Sequence, residues 1–184
     1  MDHPTTEALA AGLDAVRASP ADAGTLRLIV RRPAVDEREL LDRGELSRAD
    51  GLVGDTWRSR VSRHAPDDPA DADRQLTIMN ARAIALIARD DSPGRWAEAG
   101  DQLYVDIDLS EENLPPGTRL KLGDAVIEIT AKPHTGCAKF AARFGLDAAR
   151  FVNSPEGIKL RLRGVNAIIV EPGAICTGDV ARKL

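Results

Sequence analysis

Residues 132–145, Lys-Pro-His-Thr-Gly-Cys-Ala-Lys-Phe-Ala-Ala-Arg-Phe-Gly, gather a thiol, an imidazole and three cations into one short stretch. Pro133 ends the apolar run at 125–130, Thr135 is placed to cap a helix and Gly145 to close it, which sets Cys137 in the first helical turn. A thiol there faces the positive helix end, with Lys139 and Arg143 one and two turns on and His134 ahead of the cap. These cues favour the thiolate, the form that attacks sulfur or ligates a soft metal. The competing reading is core packing: Phe140 and Phe144 at i,i+4 give the helix an apolar side, and free cysteine is among the most buried residue types.

The second cysteine, Cys176, has no cations beside it in Ala-Ile-Cys-Thr-Gly and is expected to be packed in a strand. With 39 positions between the two and no CxxC, neither a zinc site nor a disulfide framework is signalled, and a reduced pair is expected. No histidine sits at a convincing nucleophile–base spacing and no Gly-x-Ser-x-Gly elbow is present, which ranks a cysteine hydrolase last. Lys139, Arg143 and Arg163 are cations that could receive anionic oxygens, and Asn113 and Gln75 carry amides that could donate and accept. Each has an ordinary alternative, a solvated or salt-bridged cation or an amide satisfying a turn.

The elements that must position these residues belong to one domain of 184 residues, 43% hydrophobic and 29% charged. Residues 1–43 supply an N-terminal helix and first strand to the same domain as 44–184. A net charge of -4 argues against a general nucleic-acid surface. No apolar run reaches the length needed to span a bilayer and no signal-peptide pattern opens the chain, so no membrane partner and a cytoplasmic location are expected.

Along the chain the spacing predicts a helix over 6–19, a strand over 25–31 with both faces partly covered, and a loop or short helix over 31–43. Gly51 and Gly54 bracket a tight turn. The polar stretch 59–73, with His64 and several aspartates, reads as a surface loop of solvated charge and not as a calcium loop. A strand over 75–79 feeds a helix over 81–89 capped by Asn80, and 92–98 forms a turn or helical turn. Strands follow over 101–109, 118–122, 125–130, 159–163 and 166–170, with a helix over 147–152 and a turn at 155–157. Many short strands between Gly, Pro and Asp turns predict a β-rich, barrel-like fold with helices at its mouth.

The ordered motifs Gly51-Leu-Val-Gly-Asp55, Gln75-Leu-Thr77, Glu112-Asn-Leu114, Gly123-Asp124, Cys137-Ala-Lys139, Arg163-Gly-Val165 and Gly178-Asp179 resemble those of the molybdenum cofactor sulfurase C-terminal (MOSC) domain family. The resemblance implies a compact β-barrel and chemistry linked to the molybdenum cofactor, a pterin phosphate carrying a dithiolene-bound metal. It implies that Cys137 carries sulfur or ligates molybdenum, and that His134, Lys139, Arg143, Arg163, Asn113 and Gln75 contact the cofactor. It further implies a sulfur-donor protein of the cysteine desulfurase kind, or a reductase, as partner, with pyridoxal phosphate entering only through the separate donor. Sulfur transfer or reduction of N-hydroxylated substrates is the expected activity, and the alternative is a carrier that delivers sulfur or cofactor without turnover.

Overall fold

The computed structural model describes residues 3–59 and 70–184. Of the expected polar loop, the part that includes His64, Asp67 and Asp68 lies outside the described residues.

The N-terminal segment folds as two helices, α1 (Thr6–Ala11) and α2 (Leu13–Arg17), broken at Gly12 where one helix was predicted. Eleven strands follow: β1 (Ala23–Arg31), β2 (Glu39–Leu41), β3 (Arg43–Ser47), β4 (Gly51–Leu52), β5 (Leu76–Asn80), β6 (Leu103–Asp106), β7 (Arg119–Leu122), β8 (Ala125–Ile129), β9 (Val165–Glu171), β10 (Gly173–Cys176) and β11 (Val180–Lys183). The order β11-β7-β8-β9-β5-β6-β1, with β1 pairing back to β11, closes a seven-stranded barrel; β2 adds to β1, and β10-β3-β4 form a second, small sheet. Closure leaves the barrel strands no free edge.

The barrel interior is filled by Leu26, Ile29, Leu76, Ile78, Leu103, Val105, Leu120, Ile127 and their neighbours. Their strand-mates Leu28, Val30, Met79 and Tyr104 face outward into a second apolar cluster beneath the helices. The alternation is the ordinary two-residue period of a strand. In β1 a register shift between Leu26 and Leu28 resets it, which explains why Ile29 interrupts the pattern read from the sequence. The helices therefore cover the outer flank of β1, β5 and β6, a more lateral position than the predicted mouth.

All barrel pairings among the described residues are antiparallel except β5–β6. Parallel neighbours need a crossover, and here it is α3 (Ala81–Ala88), capped by the Asn80 side chain, then α4 (Pro93–Ala97). The crossover brings the chain back to the end at which β5 also starts, so residues 97–102 enter β6 beside the place where antiparallel β1 ends.

Between β8 and β9 lie α5 (Ala138–Phe144), α6 (Leu146–Val152) and α7 (Pro155–Lys159). α6 coincides with the helix predicted over 147–152, whereas α7 differs from the predicted turn at 155–157. Ser154 caps α7 by accepting from the Gly157 amide, with Pro155 at the first helical position, and Arg161 then takes a left-handed backbone (φ 48°). The predicted strand over 159–163 is thus a helix end and a turn. The predicted strand over 101–109 pairs only at 103–106, and the loop or short helix predicted over 31–43 instead contains β2 and the first residue of β3.

Candidate functional site

Residues 96–101 leave α4 and enter β6 as a short, largely buried run of peptide carbonyls, and five side chains from five places in the sequence converge on it. The Trp96 carbonyl accepts from the Tyr104 hydroxyl (2.7 Å), Ala97 from Arg38 Nε (3.2 Å), Glu98 from Arg143 Nη1 (2.7 Å), Ala99 from Arg163 Nη2 (2.9 Å) and Gly100 from Arg32 Nη1 (2.9 Å). Four guanidiniums therefore collar one stretch of backbone. Gly100 makes the stretch possible: its φ of 88° is in the left-handed region, and a Cβ there would stand 3.5 Å from Arg38 Nη2 and 3.9 Å from Arg143 Nη1.

The next residue, Asp101, is fully buried and anchors the collar. Its Oδ2 accepts from Arg163 Nη1 at 2.5 Å and its Oδ1 lies 2.7 Å from His134 Nε2. Burial opposes ionisation of Asp101, but the charge and hydrogen bonds of Arg163 and His134 outweigh it and hold the carboxyl below the usual carboxylate range. Burial, reinforced by the positive charge of Arg163, pushes His134 down against the pull of Asp101, so the ring is neutral near pH 7. With an ionised carboxylate on Nε2, that nitrogen carries the proton and Nδ1 keeps its lone pair. Arg163 also stacks over the Phe140 ring at 4.9 Å, tying the triad to α5.

Arg32 is neutralised separately. Asp55, at 0% side-chain exposure, takes Arg32 Nε (2.7 Å) and Nη2 (2.8 Å) in a two-pronged pair and also accepts from the Arg32 and Trp57 amides. Arg38 has no carboxylate within ion-pair distance among the described residues; burial first, then the like charges of Arg143 and Arg32, press its pKa down. Arg143 and Lys139 share one oxygen of Asp36, Oδ1, at 3.0 Å and 3.1 Å, and Asp36 is held below its ordinary range chiefly by the Lys139 hydrogen bond. Three cations, Arg38, Lys139 and Arg143, thus face one exposed carboxylate.

The thiol stands at the edge of this group. Cys137, not Thr135, is the N-cap residue of α5, and its side chain makes no capping bond. The loop before it is pinned at successive points: Asn166 Nδ2 donates to the Lys132 and Pro133 carbonyls, His134 is held by Asp101, and Gly136 exchanges two hydrogen bonds with the Asn153 amide. Gly164 permits this approach. At φ 107° a Cβ would meet the Ile78 carbonyl oxygen at 2.2 Å and the His134 ring at 3.3 Å. Cys137 is exposed at the end of this fixed loop, and the core-packing role falls to Phe140 and Phe144 instead. Cys176 sits half-buried in β10 of the small sheet, opposite Arg43.

Of the residues predicted from the sequence, His134, Arg143, Arg163 and Lys139 are brought together with the loop of Cys137, whereas Lys132 pairs with Asp71 at 3.0 Å. Gln75 lies at the same end of β5, but its amide is spent on the Arg48 carbonyl and the Ile169 amide. Asn113 is not part of the group. It bonds Ala21, Asp108 and Lys183 at the start of β1, and the length of that strand puts about 30 Å between it and Arg32. Arg32, Arg38, Asp36 and Asp101 were missed. Arg32 and Arg38 lie in a charge-rich segment with no period, and Asp101 reads as the first residue of the strand predicted over 101–109; the one available signal was that Gly100-Asp101 stands directly before the most regular apolar alternation.

The donor set fits an oxyanion-bearing group. Guanidinium and ammonium groups exceed the carboxylates facing them, and the buried Nε of Arg163 has no hydrogen-bond partner among the described residues. Among the described residues no group of three or more His, Cys, Asp or Glu side chains could hold a metal ion. A metal contact through Cys137 would therefore need its remaining ligands from a cofactor. No helix of the described residues is long and apolar enough to cross a membrane.

No family model and no curated protein matches the chain. Among solved structures, it is similar to the YuaD protein of Bacillus subtilis (TM-score 0.59, 19% identity, covering 86% of this chain and 94% of that one). It is also similar to YiiM from Escherichia coli (TM-score 0.56, 18% identity, 87% and 69%) and YiiM from Geobacillus stearothermophilus (TM-score 0.52, 12% identity, 90% and 74%). At these identities the likeness is one of fold: the chain shares the β-barrel architecture of the YuaD and YiiM structures.

Proposed function

We propose that the chain is a MOSC-type protein that holds the phosphate-bearing pterin of the molybdenum cofactor against the arginine collar and presents Cys137 to its metal or to a sulfur donor. The observation that carries this reading is the joining of an exposed thiol, on a loop pinned at Lys132, Pro133, His134 and Gly136, to a cluster of cations in excess of their carboxylates. The order of sequence motifs and the fold shared with YuaD and YiiM support the same family. Arg38, Arg143 and Lys139 would receive the phosphate, the arginines by paired N–H donors and Lys139 as a point charge. When bound, the cofactor supplies the redox and atom-transfer chemistry of molybdenum. The chain's own part is to orient and screen: Asp101 fixes the His134 ring, Arg163 holds Asp101 ionised, and the neutral ring keeps an acceptor nitrogen available for a substrate N–H or O–H.

The proposal places the protein in the cytoplasm, with a sulfur-donor protein or a reductase as partner. The test is to purify wild type and Cys137→Ser from cells that make the cofactor and measure molybdenum per chain. Near-stoichiometric metal in the wild type supports the reading, and its absence from both contradicts it. Reduction of an N-hydroxylated substrate by the loaded wild type, lost in Cys137→Ser, separates an enzyme from a carrier.

A further inference from the structure

Asp36 occupies the place in the cation cluster that an anionic ligand would take. It sits in an exposed segment beside Val35, which is 81% exposed, and it adopts a left-handed backbone (φ 62°) uncommon for a residue other than glycine. From there its Oδ1 reaches both Lys139 Nζ and Arg143 Nη2. Among the described residues Arg38, whose Nη2 flanks Gly100 next to Arg143, donates only to the Ala97 and Glu37 carbonyls. One carboxylate oxygen thus serves two of three neighbouring cations, leaving two positive charges unmatched at the Gly100 turn.

We propose that Asp36 is a built-in stand-in for the ligand's anion and sets the selectivity of the site: a dianionic phosphate monoester displaces it, and a monoanion does not. This rests on the reading of Arg38, Lys139 and Arg143 as the phosphate-binding group. A ligand carboxylate would exchange one monoanion for another and gain little over the tethered Asp36. A phosphate monoester brings a second charge and a third oxygen, enough to engage Arg38 as well as Arg143 and Lys139. On displacement, Asp36 and the segment around it move away from α5.

The experiment titrates inorganic phosphate and, separately, acetate into the full chain and follows the backbone amides of Gly100 and Asp36 by NMR. Wild type, Asp36→Asn and Glu37→Gln are compared. Glu37→Gln removes the same charge one residue away, where the side chain makes no ion pair with the cluster. The expected result is phosphate binding in wild type that tightens roughly three- to tenfold in Asp36→Asn, the range of two exposed ion pairs lost by the competitor. It also includes a smaller phosphate-over-acetate ratio in Asp36→Asn and little change in Glu37→Gln. Equal phosphate affinity in wild type and Asp36→Asn would overturn the stand-in role while leaving the anion site intact. The same holds if Glu37→Gln strengthens binding as much as Asp36→Asn. No phosphate-dependent shift in any of the three proteins would overturn the phosphate-binding reading itself, and this inference with it.

Discussion

At His134 the partner of one ring nitrogen decides what the other can do. Because Asp101 is buried and paired with Arg163, it stays ionised and fixes the proton on Nε2, which leaves Nδ1 as an acceptor. Folding depresses the His134 pKa below its ordinary value, so the fold favours the neutral ring. That contribution is complete above about pH 6.5 and is lost as pH falls through the lower folded value. His134→Gln lacks this component. The difference in Tm between wild type and His134→Gln should therefore be largest near neutral pH and narrow on acidification to about pH 5.5; a difference that widens instead would contradict the assignment. At Cys137 the prediction concerns access. Native-state alkylation should label Cys137 before the half-buried Cys176, and Cys137→Ser should remove the fast phase while Cys176→Ser keeps it. A fast phase that survives Cys137→Ser would show the thiol to be covered.

Segment 96–101 does at the scale of an element what no single side chain does. A helix C-terminus ends in unsatisfied carbonyls, and here successive ones are taken by Tyr104, Arg38, Arg143, Arg163 and Arg32, so the end of α4 organises the cluster. Removing the Asp101 charge should be costly, because it strands Arg163 in the interior. Asp101→Asn is expected to lose about 3–5 kcal/mol of unfolding free energy, and adding Arg163→Met should recover much of it. Denaturant melts of the two single variants and the double variant check this; additive losses would mean that the two residues do not act as a pair. The sequence showed the Cys137 helix, its Gly145 end and the convergence of His134, Lys139, Arg143 and Arg163, because those residues are local or carried by motifs. It did not show Arg32, Arg38 or Asp36. Their partners in segment 96–101 and on α5 lie from 59 to 107 positions away, and nothing in local period or composition encodes a pairing of that kind. The strand predicted over 159–163 failed for a local reason, since Ser154 and Pro155 start a helix that the Leu-Arg alternation outshone.

For the molecule as a whole, the β-rich barrel was legible because Leu103, Val105, Leu120, Leu122, Ile127 and Ile129 alternate with outward residues and Gly-Asp turns separate the strands. Closure through β1 and β11 was not legible, since it joins the two ends of the chain in a pairing of three residues. On the other side of β1, its pairing with β6 brings Arg32 to Gly100 and builds a locally positive flank on a chain of net charge -4. The central claim is that this flank, through Arg38 and Arg143, holds the phosphate of a pterin cofactor. Its most direct test is the amount of oxidised, fluorescent pterin released per chain from wild type and from the double variant Arg38→Gln with Arg143→Gln, both purified from cells that make the cofactor. The account predicts about one pterin per wild-type chain and at least a tenfold loss in the double variant with its fold intact, as expected for two charge-assisted contacts. Equal pterin in both proteins, or none in the wild type, would contradict it.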